Sequence, residues 1–260
     1  MQKLPTLFLS HGSPLHAINA GQAGDVWAAL AKQLPRPKAV LMVTAHWETN
    51  LPMLSGNARP SMIYDFGGFP DELYKIVYAA AGAPEVAAKA QALLKSAGFT
   101  AGIDGCRGLD HGTWVPLLKM YPAADVPVVQ LSVQTAMNPR HHYEVGRALA
   151  PLTKEGVLIV GSGHLTHNLR DWMRSRGQTT HEPYAQEFQR WVHDHLAERD
   201  VDGLTNYRHA APAAARAHPT EEHFLPLFVA LGAAGADAKS ERVFDGFEGA
   251  ALAMDAYRFQ

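Results

Sequence analysis

The sequence predicts an α/β fold in which a central, largely parallel or mixed sheet is flanked by helices on both faces, as one catalytic domain over residues 1–260. Short runs dense in Val, Ile and Leu alternate with longer segments of helical spacing, as βαβ units require. Those runs are continuously apolar instead of alternating, which marks strands covered on both sides. No linker, repeat or low-complexity tract divides the chain.

In chain order, "PTLFLS" (5–10) is the first strand and "GDVWAALAKQL" (24–34) a helix. "KAVLMVTA" (38–45) is the second strand. The Ala-rich segment 83–98 is a helix running into a short strand, "FTAGID" (99–104), and "GTWVPLLKMY" (112–121) is a short helix. "VPVVQLSV" (126–133) and "VLIVGSG" (157–163) are strands separated by a helix over 139–152. A long helix covers 184–199, "HAAPAAARAHPT" (209–220) is a connection beside the site, and 221–235 is the last helix. "AYRF" (256–259) closes the chain as an edge strand.

The overall balance excludes several classes. A net charge of -2 gives no electrostatic reason to bind nucleic acid or an anionic membrane. The single cysteine, Cys106, excludes an internal disulfide and a thiolate-rich metal site, and fits a reducing compartment. The apolar run near the N-terminus is too short for a signal sequence, and no run reaches membrane-spanning length, so the expected location is cytoplasmic.

Fourteen histidines are the unusual figure. His141, His142, His193 and His195 read as exposed helix residues, and His16, His181, His209 and His218 as ordinary loop residues, with His181 and His218 able to edge a pocket. The others stand at special points. His11 follows "LFLS", His46 follows "VLMVTA", and His164 and His167 follow "VLIV", while His111 precedes a helix. Parallel strands would bring these to one carboxyl edge, where open α/β sheets bind ligands. A strand end gains no stability from imidazole, so three such ends argue for a mononuclear metal site suited to Fe(II) or Zn(II). His223 opens the last apolar helix, where a cation is disfavoured by the helix dipole and a neutral, metal-bound imidazole is not. Asp110 is placed to orient a neighbouring imidazole, and Trp47, Tyr64 and Phe66 are candidate walls for a planar ring.

Taken together and in order, "LFLSHGSP", "TAHWE", "YDFGGFP", "GLDHGTWVPL", "GSGHLTHNL" and "TEEHFLPL" resemble the DODA-type class III extradiol ring-cleavage dioxygenases of the LigB-like superfamily. The resemblance implies a non-haem metal enzyme that cleaves a small, DOPA-like catechol with O2, using Fe(II), with Zn(II) able to occupy the site. It implies His11, His46 and His223 as metal ligands, with Glu222 the alternative third ligand because distant relatives use glutamate there. His167 takes the place of the catalytic acid/base, His164 is a substrate-side neighbour, and His111 contacts substrate or dioxygen. Two other readings stay open on the residues alone: a zinc-dependent hydrolase on the same three histidines, and a non-catalytic metal-binding relative.

Overall fold

The computed structural model describes residues 3–260, and Met1 and Gln2, the start of the expected domain, lie outside the described residues. Ten strands form among the described residues: β1 (Thr6–Ser10), β2 (Ala39–Glu48), β3 (Met53–Ser55), β4 (Gly102–Asp104), β5 (Val128–Val133), β6 (Val157–Gly163), β7 (Ser240–Phe244), β8 (Phe247–Glu248), β9 (Leu252–Ala253) and β10 (Ala256–Phe259). The helices are α1 (Gly21–Gln33), α2 (Pro84–Ser96), α3 (His111–Met120), α4 (Pro139–Leu149), α5 (Leu169–Arg174), α6 (Pro183–Glu198), α7 (Val201–Thr205), α8 (Tyr207–Ala210), α9 (Ala214–Ala217) and α10 (Leu225–Ala234).

Eight strands join in one mixed sheet, in the order β4-β3-β5-β2-β6-β1-β10-β7, and β8 and β9 form a separate hairpin. The four central strands β5, β2, β6 and β1 are mutually parallel. Antiparallel pairing occurs at the flanks, β3 with β5 on one side and β1 with β10 with β7 on the other. The central strands are mostly apolar runs, and all their residues but His46 and Glu48 are buried.

Strand parity sorts the core into two layers. Leu7, Leu9, Val40, Met42, Leu158 and Val160 pack with Trp27 and Leu30 of α1 and Trp114, Val115 and Leu117 of α3. Phe8, Leu41, Val43, Ile159 and Val129 pack with residues of α2, α4, α6 and α10 on the opposite face. Extending the first set two residues at a time along each strand reaches His11, Thr44, His46 and Ser162. The site therefore lies on the α1/α3 side of the sheet, at its carboxyl edge.

Three expectations are corrected here. "AYRF" is an interior strand, not an edge: β10 lies between β1 and β7, with Thr6 opposite Phe259 and Leu9 opposite Ala256. Its place at the chain's end said nothing about its place in the sheet, and the edge is the more polar "SERVF" of β7. Strand β2 runs on to Glu48, so His46 lies within the strand instead of beyond it. The last helix starts at Leu225, leaving His223 in the turn before it, where Phe224 N–H donates to Glu221 O at 2.9 Å.

The fourth correction is His142, which is buried, with 1% of its surface exposed. Helix α4 presents it inward: Nδ1 donates to Asn138 O at 3.0 Å and Nε2 accepts the Gln134 N–H at 3.1 Å. Its helix neighbour His141 and the α6 residues His193 and His195 are half-buried. Both ring nitrogens of His142 are satisfied only when the ring is neutral. Burial, with a smaller push from His141, holds its pKa down at about 4 against the pull of Asn138. A pKa lowered in the folded state gives stability that is complete above about pH 6.5 and lost as the pH falls towards 4. Denaturant titrations at pH 7.5 and 5.0 should show this residue costing the wild type about 2 kcal/mol over that interval. A His142→Gln variant should lack that part of the pH dependence.

Candidate metal centre and aromatic cavity

The register of β6 with its neighbours builds the site. His11 N–H, one residue past β1, donates to Gly163 O at 3.0 Å, and His164 N–H donates to His223 O at 2.8 Å. The turn before α10 is thus tied to the end of β6, between the ends of β1 and β2. His11 and His46 meet with their Nε2 atoms 3.0 Å apart. One ligand atom from each of His11, His46 and His223 falls within a 4.8 Å group. Helix α3 approaches this cluster at Gly112, where a Cβ would stand 2.8 Å from His46 Cδ2 and 3.0 Å from Thr44 Oγ1. Any larger residue there would push the imidazoles apart.

Each of the three rings has its outer nitrogen occupied, and the partners assign the protons. Ser162 Oγ donates its only proton to Gly112 O. It can therefore only accept from His11 Nδ1, 2.9 Å away. His223 Nδ1 lies 3.0 Å from Glu222 Oε1, and His46 Nδ1 lies 3.3 Å from Asp65 Oδ2. Carboxylates accept, so all three rings carry their proton on Nδ1 and turn a bare Nε2 inward. The His11–His46 contact is then two lone pairs facing each other at 3.0 Å, an arrangement that no protein proton relieves.

A cation relieves it. Three histidine donor atoms grouped within 4.8 Å form the kind of nitrogen set that would hold a divalent ion. Burial keeps the rings in the form a metal needs. It pushes the His11 and His223 pKa values well below the usual range, helped by the neighbouring imidazoles. It lowers His46 to about 3, with His111 adding to the effect and Asp65 opposing it.

Asp65 is the residue that sequence reasoning missed. Its Oδ1 accepts from both Nδ1 and the backbone N–H of His111, at 2.9 and 3.0 Å, while Oδ2 serves His46. Burial would raise its pKa, but the hydrogen bonds and charge of His111 and the proximity of His46 outweigh that and bring it to about 2. The role expected of Asp110 belongs to Asp65 instead. Asp110 caps α3 through Thr113 N–H and accepts from Thr44 and Arg107, because its backbone is the helix's first step and its side chain turns back along it. Ser162 was the other omission, and a polar side chain in an otherwise apolar strand was its visible signal.

Three further histidines, His111, His164 and His167, line a cavity of about 350 Å³ in front of the cluster. His167 stacks on His223 with ring centres 3.5 Å apart, and its Nδ1 is 4.0 Å from Glu222 Oε1. Burial, then His111, lowers its pKa to about 4. His164 is buried with Nδ1 unpartnered among the described residues. His111 stands 4.0 Å from the His46 ring, centre to centre. Phe66, Phe69, Trp172, Leu169, Leu252 and Pro14 supply the apolar walls.

Two expected wall residues lie elsewhere. Trp47 follows His46 on a strand, so it points to the opposite face, where Arg107 covers its ring at 4.9 Å. Tyr64 packs against Trp114 behind Phe66 and donates to Ile76 O at 2.8 Å. His218 is also outside the cavity, buried against Leu165 O at 2.8 Å, and His181 stacks on Phe247. The 209–220 connection contains the single-turn α9 and does abut the site: His167 N–H donates to Ala217 O at 2.8 Å.

With this geometry in place, the comparisons are informative. Residues 5–259 match the family model described as the catalytic LigB subunit of aromatic ring-opening dioxygenase. The chain is 42% identical over 258 residues to the 4,5-DOPA dioxygenase extradiol of Beta vulgaris, covering 98% of this chain and 96% of that one. It is 37% identical over 255 residues to the Escherichia coli K12 protein of the same description, covering 97% and 93%. The crystal structure of an uncharacterized protein from Escherichia coli K12 superposes with a TM-score of 0.85 at 33% identity, over 99% of this chain and 100% of that one. Extradiol cleavage of aromatic rings is the chemistry of this family, and its enzymes are metal-dependent. No helix among the described residues is long and apolar enough to cross a membrane. On the match of nearly its whole length, the chain belongs to the family of catalytic LigB subunits of aromatic ring-opening dioxygenases.

Proposed function

We propose that this protein is a cytoplasmic extradiol dioxygenase that opens the ring of a small, DOPA-like catechol with O2, as one catalytic domain over residues 1–260. The observation that carries the reading is the pair of bare Nε2 atoms of His11 and His46, facing each other at 3.0 Å beside His223. In this reading the three imidazoles hold Fe(II), with Zn(II) able to occupy the same nitrogens. Glu222 orients His223 through Nδ1 and is not itself the third ligand. Bound Fe(II) supplies the redox chemistry between catechol and O2, which none of these side chains can supply.

The protein does the rest. His167, neutral at physiological pH and facing the cavity, takes the hydroxyl proton that the catechol must surrender, and returns it later in the cycle. His111, fixed by Asp65 through Nδ1, offers Nε2 to substrate or O2. His164 lines the substrate side, and Phe66 with Phe69 forms the wall against which a planar ring lies.

The test is anaerobic reconstitution with Fe(II), followed by a panel of catechols and then air. The expected outcome is O2 uptake with a yellow ring-opened semialdehyde from at least one catechol. Fully loaded protein that consumes no O2 with any of them would overturn the proposal.

A further inference from the structure

The charge lining the cavity is unusual for a site that receives a substituted catechol. Among the described residues its walls hold two carboxylates, Asp65 and Glu248, and no lysine or arginine. Arg107 lies behind His46, donating to its carbonyl and to Asp110. Arg170 lines the adjoining depression beyond His167 and Leu169, and Arg176 lies 5.5 Å over the Trp172 ring. Asp65 is committed to His46 and His111. Glu248 is not committed in the same way.

Glu248 ends β8, opposite Leu252 of β9, and the hairpin delivers both to the cavity wall. Its Oε2 accepts the Ser13 N–H at 3.2 Å and lies 3.7 Å from His16 Nδ1, a nitrogen that also contacts Ser13 O at 3.2 Å. Oε1 accepts nothing from the described residues. The side chain is 19% exposed, so its carboxylate is largely withdrawn from solvent, and it lines a cavity of imidazoles and apolar walls. An anionic side chain on the substrate would find there a like charge and no lysine or arginine among the described lining residues. A cationic one would find a free carboxylate oxygen in poorly screened surroundings.

We infer that Glu248 is the counter-ion for an ammonium group on the catechol's side chain, and so sets a preference for catechols whose side chain carries an ammonium group, DOPA-like ones included, over catechols whose side chain carries a carboxylate alone. The inference rests on the extradiol reading above and adds to it the residue that reads the substrate's side chain.

Three catechols of similar size separate the possibilities: dopamine, neutral 4-ethylcatechol and 3-(3,4-dihydroxyphenyl)propionate. With the Fe(II)-reconstituted enzyme, kcat/KM should be highest for dopamine and lowest for the acid. E248Q keeps an oxygen for the Ser13 N–H and removes the charge. It should lower the dopamine-to-ethylcatechol ratio of kcat/KM about tenfold, about 1.4 kcal/mol, and E248K should invert the order of dopamine and the acid. A ratio unchanged within twofold in E248Q overturns the inference, because an equal fall on both substrates means that Glu248 only supports the Ser13 turn. Should E248Q not fold, the wild-type order decides, and a preference for the acid overturns the inference. Anaerobic binding of the same three compounds, followed by tryptophan fluorescence, gives the order independently of turnover. Binding in the expected order without ring opening of any of them would sink the extradiol reading and leave Glu248 its role, whereas no binding preference would sink the role alone.

Discussion

His46→Ala is expected to leave a folded protein that retains no stoichiometric metal and opens no catechol ring. The side chain stands at the carboxyl edge of β2, 19% exposed, beyond the apolar residues that form the two layers below. Its removal also relieves the lone-pair contact with His11, so the fold has no reason to suffer. What is lost is one of three converging donors, and two imidazoles 5.5 Å apart between ring centres do not make a tight site for a divalent ion. Metal analysis after reconstitution should fall from about one ion per chain to near zero, with an unchanged circular dichroism spectrum. Asp65→Asn is the graded companion. It keeps the shape but weakens the acceptor that fixes the His46 and His111 protons, and the usual cost of losing such a partner is about 10–100-fold in metal affinity or activity. Wild-type metal content in His46→Ala would refute the three-histidine assignment.

His167→Ala should separate chemistry from metal binding. The ring stacks on His223 without sharing its inward nitrogen and faces the cavity, so the ion should stay while kcat falls by about 10²–10⁴, the range for losing a positioned acid/base. The loss should appear in kcat, because His167 must return the proton after the substrate is bound. A metal-free His167→Ala protein would make His167 a ligand and move Glu222 and His223 into a different coordination set, one whose donor atoms also cluster within 4.8 Å.

Much of the centre was legible because strands are periodic and parallel strands share an edge. Reading His11, His46 and His164 as the ends of apolar runs was enough to bring them together. The same periodicity, applied one residue further, would have removed Trp47 from the cavity, since neighbours on a strand face opposite layers. Asp65 could not be placed by periodicity, because it sits in an irregular loop that returns to α3 from 46 residues away. Glu248 is hidden for a similar reason: a two-residue strand leaves no pattern to read. His142 looked exposed beside another polar residue, and only the packing of α4 decides which of the two turns inward.

The loop bearing Asp65 also bears Phe66, so one short segment supplies a wall of the substrate cavity and the acceptor for a proton of His46. If a catechol lies on Phe66 and His46 holds an ion, as proposed, both act on the same backbone. Their affinities are then linked through that segment, and thermodynamics requires the linkage to be reciprocal: by whatever factor substrate tightens the hold on the ion, the ion tightens the hold on substrate. The apo protein would bind its catechol weakly even where the contacts to the organic side chain are intact, and a starved enzyme would surrender its metal more readily than a working one.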